Sequence, residues 1–110
     1  MRRRAILIGA ALSLLAIGPV AAAEFAWDGT WAGRNSTGRT TAVTIVKGKV
    51  ASWKSNGMVQ PIKSVSVGKN RVQFSHVEGS RVTMTPINAD TVQFVWKGQS
   101  QSSVTVMKRR

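Results

Sequence analysis

The chain has 110 residues and no Cys, and its 16 Lys and Arg outnumber four Asp and Glu to give a formal charge of +12. That length suits one domain. The missing thiols exclude disulfides, cysteine metal sites and thiol chemistry, and the charge favours anionic partners.

The chain opens on Met1-Arg2-Arg3-Arg4, a basic start. Ala5 to Gly18 follows as a nearly unbroken apolar run of 14 residues. Pro19 and then Ala21-Ala22-Ala23 complete the small-x-small form that a signal peptidase reads. The run is shorter than the roughly 20 residues of a membrane span. Residues 1–23 are therefore expected to be a signal-peptide helix, cut near Ala23-Glu24. Residues 24–110 are expected to be a β-barrel domain, periplasmic or secreted, with membrane contact only through an uncleaved signal segment. No Cys follows the run, so lipoprotein processing is excluded.

Residues 24–110 number 87 and carry 13 basic side chains against Glu24, Asp28, Glu78 and Asp90, a balance of +9. An exported domain of this size without disulfides relies on its core and its backbone ladder. A closed sheet would help, because closure removes unpaired edges.

After Ala23 no helical period is present. Short stretches rich in Val, Thr, Phe and Trp stop at Gly or Asn, which is the pattern of strands and tight turns. Eight strands are expected: 29–35, 40–47, 49–55, 58–66, 71–77, 80–87, 91–97 and 102–108. Asn56-Gly57 is the strongest hairpin signal, since both residues tolerate positive φ in a type I′ turn. The connections are short, so neighbours in sequence should pair antiparallel. The expected fold is all-β: an eight-stranded antiparallel up-and-down meander closed into a small barrel. Pro61 lies in the fourth strand and cannot donate to a ladder, so a bulge or poor pairing is expected there.

The later strands alternate. Val72, Phe74 and His76 share one face, as do Val82 with Met84, Val92 with Phe94 and Trp96, and Val104 with Val106. One apolar face and one wet face is what a closed sheet requires. Val72-Gln73-Phe74 recurs as Val92-Gln93-Phe94, which two similar hairpins would produce.

Asp28-Gly29-Thr30-Trp31 opens the first strand, and its G-x-W resembles the opening signature of the calycin barrels, the lipocalins and avidins. The resemblance implies a barrel in which Trp31 is a structural plug at one end. It also implies that a basic residue of the last strand, Lys108 or Arg109, packs over the ring. The D-G-T-W start and the ending Val104-Thr105-Val106-Met107-Lys108-Arg109 are similar to small exported alphaproteobacterial proteins of no assigned activity. The chain has no Tyr, and its first loop lacks the avidin spacing of polar groups, so biotin is not the implied ligand.

No catalytic constellation emerges. The acids lie near Glu24 or in turns, with no pair on one strand face for acid–base work. His76 is the only His, and it has neither Cys partners for zinc nor an Asp spaced to orient it. No glycine loop leads into a helix, so no phosphate cradle is expected. The protein reads as no enzyme and as needing no cofactor.

Alternating turns in a meander sort the remaining residues by end. Trp53, His76 and Trp96 close strands that finish away from the termini, and Arg34, Asn35 and Arg39 lie in a loop at that end. This aromatic and polar mouth is the candidate site for a small apolar molecule or a glycan. Lys47, Lys49, Lys69, Arg71, Lys108, Arg109 and Arg110 fall at the terminal end as a basic patch, suited to anionic envelope polymers or lipid. Nucleic-acid readers interleave exposed aromatics with cations on one face. Here the two lie on opposite faces, so nucleic acid is not expected. The expected function is a non-enzymatic envelope binding module. The alternative is a barrel without a cavity that docks through its basic surface or inhibits a partner protein.

Overall fold

The computed structural model describes residues 25–110. The signal segment and its cleavage point lie outside the described residues. The described chain is all strand and turn: β1 Gly29–Arg34, β2 Thr40–Val46, β3 Lys49–Ser55, β4 Met58–Val59, β5 Ile62–Val67, β6 Val72–His76, β7 Arg81–Asn88, β8 Thr91–Lys97 and β9 Ser102–Arg109. They form one antiparallel sheet in the order β4-β3-β2-β1-β9-β8-β7-β6-β5, curled into a half-barrel.

The turns follow from local chemistry. Lys47 and Gly48 have φ of 52° and 75°, and Asn56 and Gly57 have 51° and 80°. Two successive positive-φ residues make the type I′ geometry whose twist matches paired strands. First and last strands meet, with Trp31 opposite Arg109 and Ala32 opposite Lys108.

The seam of the sheet lies at the fourth expected strand, which is two strands and not one. Gln60 N–H donates to the Trp53 carbonyl at 2.7 Å, extending the pairing of β4 with β3. One residue later, Val77 N–H donates to the Pro61 carbonyl at 3.3 Å, extending that of β5 with β6. The chain thus exchanges one neighbour for the other at Gln60-Pro61. Pro61 suits this point because it has no N–H to leave unpaired. β3 and β5 lie side by side, yet no ladder joins them among the described residues. A register shift between Lys63 and Ser66, with Ser64 at φ 55°, bends β5 further. Such a bulge costs the strand its regular alternation, and residues 63 to 66 are all exposed.

The core holds Trp31, Val43, Ile45 and Trp53 from the first half of the meander and Val72, Phe74, Val82, Met84, Val92, Phe94 and Met107 from the second. Strands β6, β7 and β8 present the faces expected of them. The last strand does not. Val104 and Val106 are 52% and 51% exposed, whereas Thr105 and Met107 are buried. The reason is parity. Phe94 pairs with Thr105 and Val92 with Met107, and paired residues share a face. Arg109 lies two residues beyond Met107 on that face, which brings its guanidinium over Trp31. Turning Val104 and Val106 inward would turn Arg109 out.

Gly33 shows how closely β1 and β9 approach. A Cβ placed there would lie 2.2 Å from the Val106 carbonyl oxygen and 3.1 Å from the Thr105 methyl. Only Gly fits beside another backbone at this distance.

Candidate functional site

Two aromatic clusters occupy the two ends of the half-barrel. At the terminal end, Phe25 and Trp27 have centroids 4.6 Å apart, and Trp31 packs against both. Trp31 donates from Nε1 to the Trp27 carbonyl at 2.8 Å, and Trp27 donates from its own Nε1 to the Lys69 carbonyl at 3.2 Å. The guanidinium carbon of Arg109 sits 4.2 Å from the Trp31 ring centre. Its nitrogens donate to the carbonyls of Ala26, Asp28 and Ala89 at 2.7, 2.8 and 3.0 Å. Arg109 therefore ties the segment before β1 to the last strand and to the β7–β8 turn.

The open end holds the second cluster. Trp53 lies edge-on to Phe74 and His76, at centroid separations of 5.4 and 6.0 Å, and 6.2 Å from Phe94. The rings of Trp53, His76 and Phe94 floor a cavity of about 880 Å³, with Phe74 packed behind them. A volume of that order is typical of small-molecule sites. The walls come from three turns, strand ends and the seam, which the meander brings to one end. The β1–β2 turn supplies Asn35, Thr37 and Arg39. Ser55 comes from the end of β3, and Gln60 from the seam. The β6–β7 turn contributes Glu78 and Ser80, the β8–β9 turn contributes Gln99 and Gln101, and the start of β9 contributes Ser102 and Ser103.

Several of these side chains are held by local bonds. Asn35 Oδ1 accepts from Thr37 N–H, the Thr37 hydroxyl and Arg39 N–H at 3.0, 2.7 and 3.1 Å, which organises the loop. Arg39 donates from Nη1 to the Ser55 hydroxyl at 2.8 Å. His76 Nδ1 accepts Glu78 N–H at 3.0 Å. In the neutral ring the proton is then on Nε2, which makes that atom a donor. Trp96 is half-buried, and its ring covers Gly98, where a Cβ would lie 2.7 Å from Cη2.

Of the candidate mouth residues, Trp53, His76, Trp96, Asn35 and Arg39 line this cavity together. Arg34 does not, because it is three residues after the inward Trp31 and so faces outward, exposed. Sequence reading missed Phe94, Gln60, Thr41 and Ser103. Strand parity could have found Phe94, while Gln60 enters only through the seam. At the terminal end, Lys47, Lys49, Lys69, Arg71, Lys108 and Arg110 are exposed. Arg109 does not project with them, since its guanidinium is held against the carbonyls of the segment before β1.

Among the described residues, both acids at that end are engaged. Asp28 accepts the N–H groups of Lys47 and Gly48 at 3.0 and 3.3 Å, and Asp90 lies 3.5 Å from Arg109. Comparison with known proteins yields no matching family model, curated protein or solved structure.

Proposed function

We propose that this protein is an exported, non-enzymatic binding module with a small calycin-like barrel, whose open end takes an uncharged small molecule, apolar or glycan. The observation that carries this reading is the cavity of about 880 Å³ between the Trp53 cluster and the turns. A module that worked by surface alone would need no such space. The ring of Trp31 under Arg109 supports the calycin-like assignment, because a basic residue of the last strand over the first-strand Trp is what that resemblance implies.

The test is binding of N-phenyl-1-naphthylamine and of a panel of neutral oligosaccharides, read by fluorescence and calorimetry. Ser103→Phe, which places a ring in the cavity wall, should abolish binding while leaving the circular dichroism of a β-protein. Failure of both probe classes to bind the native protein would end the reading.

A second reading is favoured by one observation. Six exposed cations share the terminal end, while Asp28 and Asp90 there are already engaged. This end is suited to an anionic envelope polymer or lipid surface, by charge density and not by a shaped pocket.

A further inference from the structure

The two aromatic ends differ in one respect. At the terminal end the indole N–H groups of Trp27 and Trp31 both have carbonyl partners. At the open end Trp53 is 4% exposed and its Nε1–H has none, the single buried side-chain polar atom so left among the described residues. A buried donor without an acceptor destabilises the fold. That nitrogen has no accessible surface, so the cost falls on the fold, and it is the other atoms of the Trp53 ring that line the cavity.

The walls narrow the class of occupant. Of the 13 basic residues after Arg4, one lines the cavity, Arg39, and one acid, Glu78, balances it. An anionic headgroup would meet no net positive charge there. The other polar wall groups are hydroxyls, amides and the His76 imidazole, spread over every contributing turn. An acyl chain would desolvate these groups without pairing them, which is costly. A sugar has hydroxyls that both donate and accept, and C–H faces that pack on aromatic rings.

We infer that the cavity binds a neutral saccharide, packed against the half-buried ring of Trp96. This inference rests on the binding reading above and adds the chemical class of the ligand.

The experiment is calorimetric titration of the full chain, in 0.5 M NaCl, with cellobiose, maltotriose, lactose and N,N′-diacetylchitobiose. N-phenyl-1-naphthylamine is measured in parallel. At least one saccharide should bind in that salt. Trp96→Ala should weaken it about tenfold. Trp96 is only half-buried, so the Trp96→Ala chain should keep its fold. Naphthylamine binding that Ser103→Phe abolishes, with no saccharide bound, would overturn the saccharide and leave the cavity reading standing. No binding by either class would overturn both. Saccharide binding undiminished by Trp96→Ala, or binding that 0.5 M NaCl removes, would overturn the assignment.

Discussion

Arg109 and Trp31, 78 residues apart in sequence, hold the two ends of the chain together, with the guanidinium carbon 4.2 Å from the ring centre. Cation and ring form one unit with the three carbonyls that Arg109 also binds. The charge is thereby satisfied on its edge by oxygen and on its face by the indole. The arrangement secures the first strand in a chain that has no Cys to form a disulfide.

Removing that unit should be costly. Arg109→Ala is expected to lower stability by about 2–3 kcal/mol, from the loss of charge-assisted hydrogen bonds and the ring contact. For a domain of this size, that is a fall in melting temperature of roughly 10–20 °C. Asp90→Ala should shift it by no more than a few degrees, because an ion pair at 3.5 Å to an exposed carboxylate contributes little. Equal effects of the two substitutions in thermal denaturation would show that the ion pair, and not the carbonyl clamp, is the stabilising contact.

Gly33 and Gly38 separate close approach from backbone strain. Gly33→Ala places a Cβ 2.2 Å from a backbone oxygen, so β1 and β9 must move apart, and a loss of about 3 kcal/mol is expected. Gly38, at φ 88°, has nothing within 4 Å of its Cβ position, and Gly38→Ala should cost about 1 kcal/mol from conformation alone. Urea unfolding of both variants checks the ranking. A milder effect at Gly33 than at Gly38 would contradict the tight β1–β9 packing.

The face of the last strand has a direct test. Val104→Lys should change stability by no more than about 0.5 kcal/mol, since the side chain already meets water. Thr105→Lys, opposite Phe94, should unfold the protein or cost several kcal/mol by burying a charge. The reverse ranking would place Val104 inside.

The basic rim predicts salt-dependent retention that is independent of the cavity. Lys69→Gln combined with Arg71→Gln should release the protein from phosphatidylglycerol vesicles at lower salt, because screening acts on exposed charge. Binding at the open end should be unchanged. Unaltered vesicle retention in the double variant would remove the rim from consideration.

Much of the architecture can be read along the chain. Asn56-Gly57 announces its hairpin because two positive-φ residues in succession favour one turn type. In Val72-Gln73-Phe74 and Val92-Gln93-Phe94 only one parity is apolar, so burial has one solution. Val104-Thr105-Val106-Met107 is different. Both parities carry side chains that can be buried, and local pattern leaves the choice open. Pro61 signals a break, but whether the break is a bulge or an exchange of neighbours depends on strands far from it.

The sequence by itself determined an all-β meander, its turns and the end of the molecule to which each loop belongs, because these follow from period-two alternation and from turn residues acting over a few positions. Only the tertiary structure decided the inward face of β9, the seam at Pro61 and the unpartnered donor on Trp53. Each depends on what a distant strand places opposite: Trp31 beneath Arg109, β6 beside Pro61, and the apolar rings of Phe74 and Phe94 against the Trp53 indole.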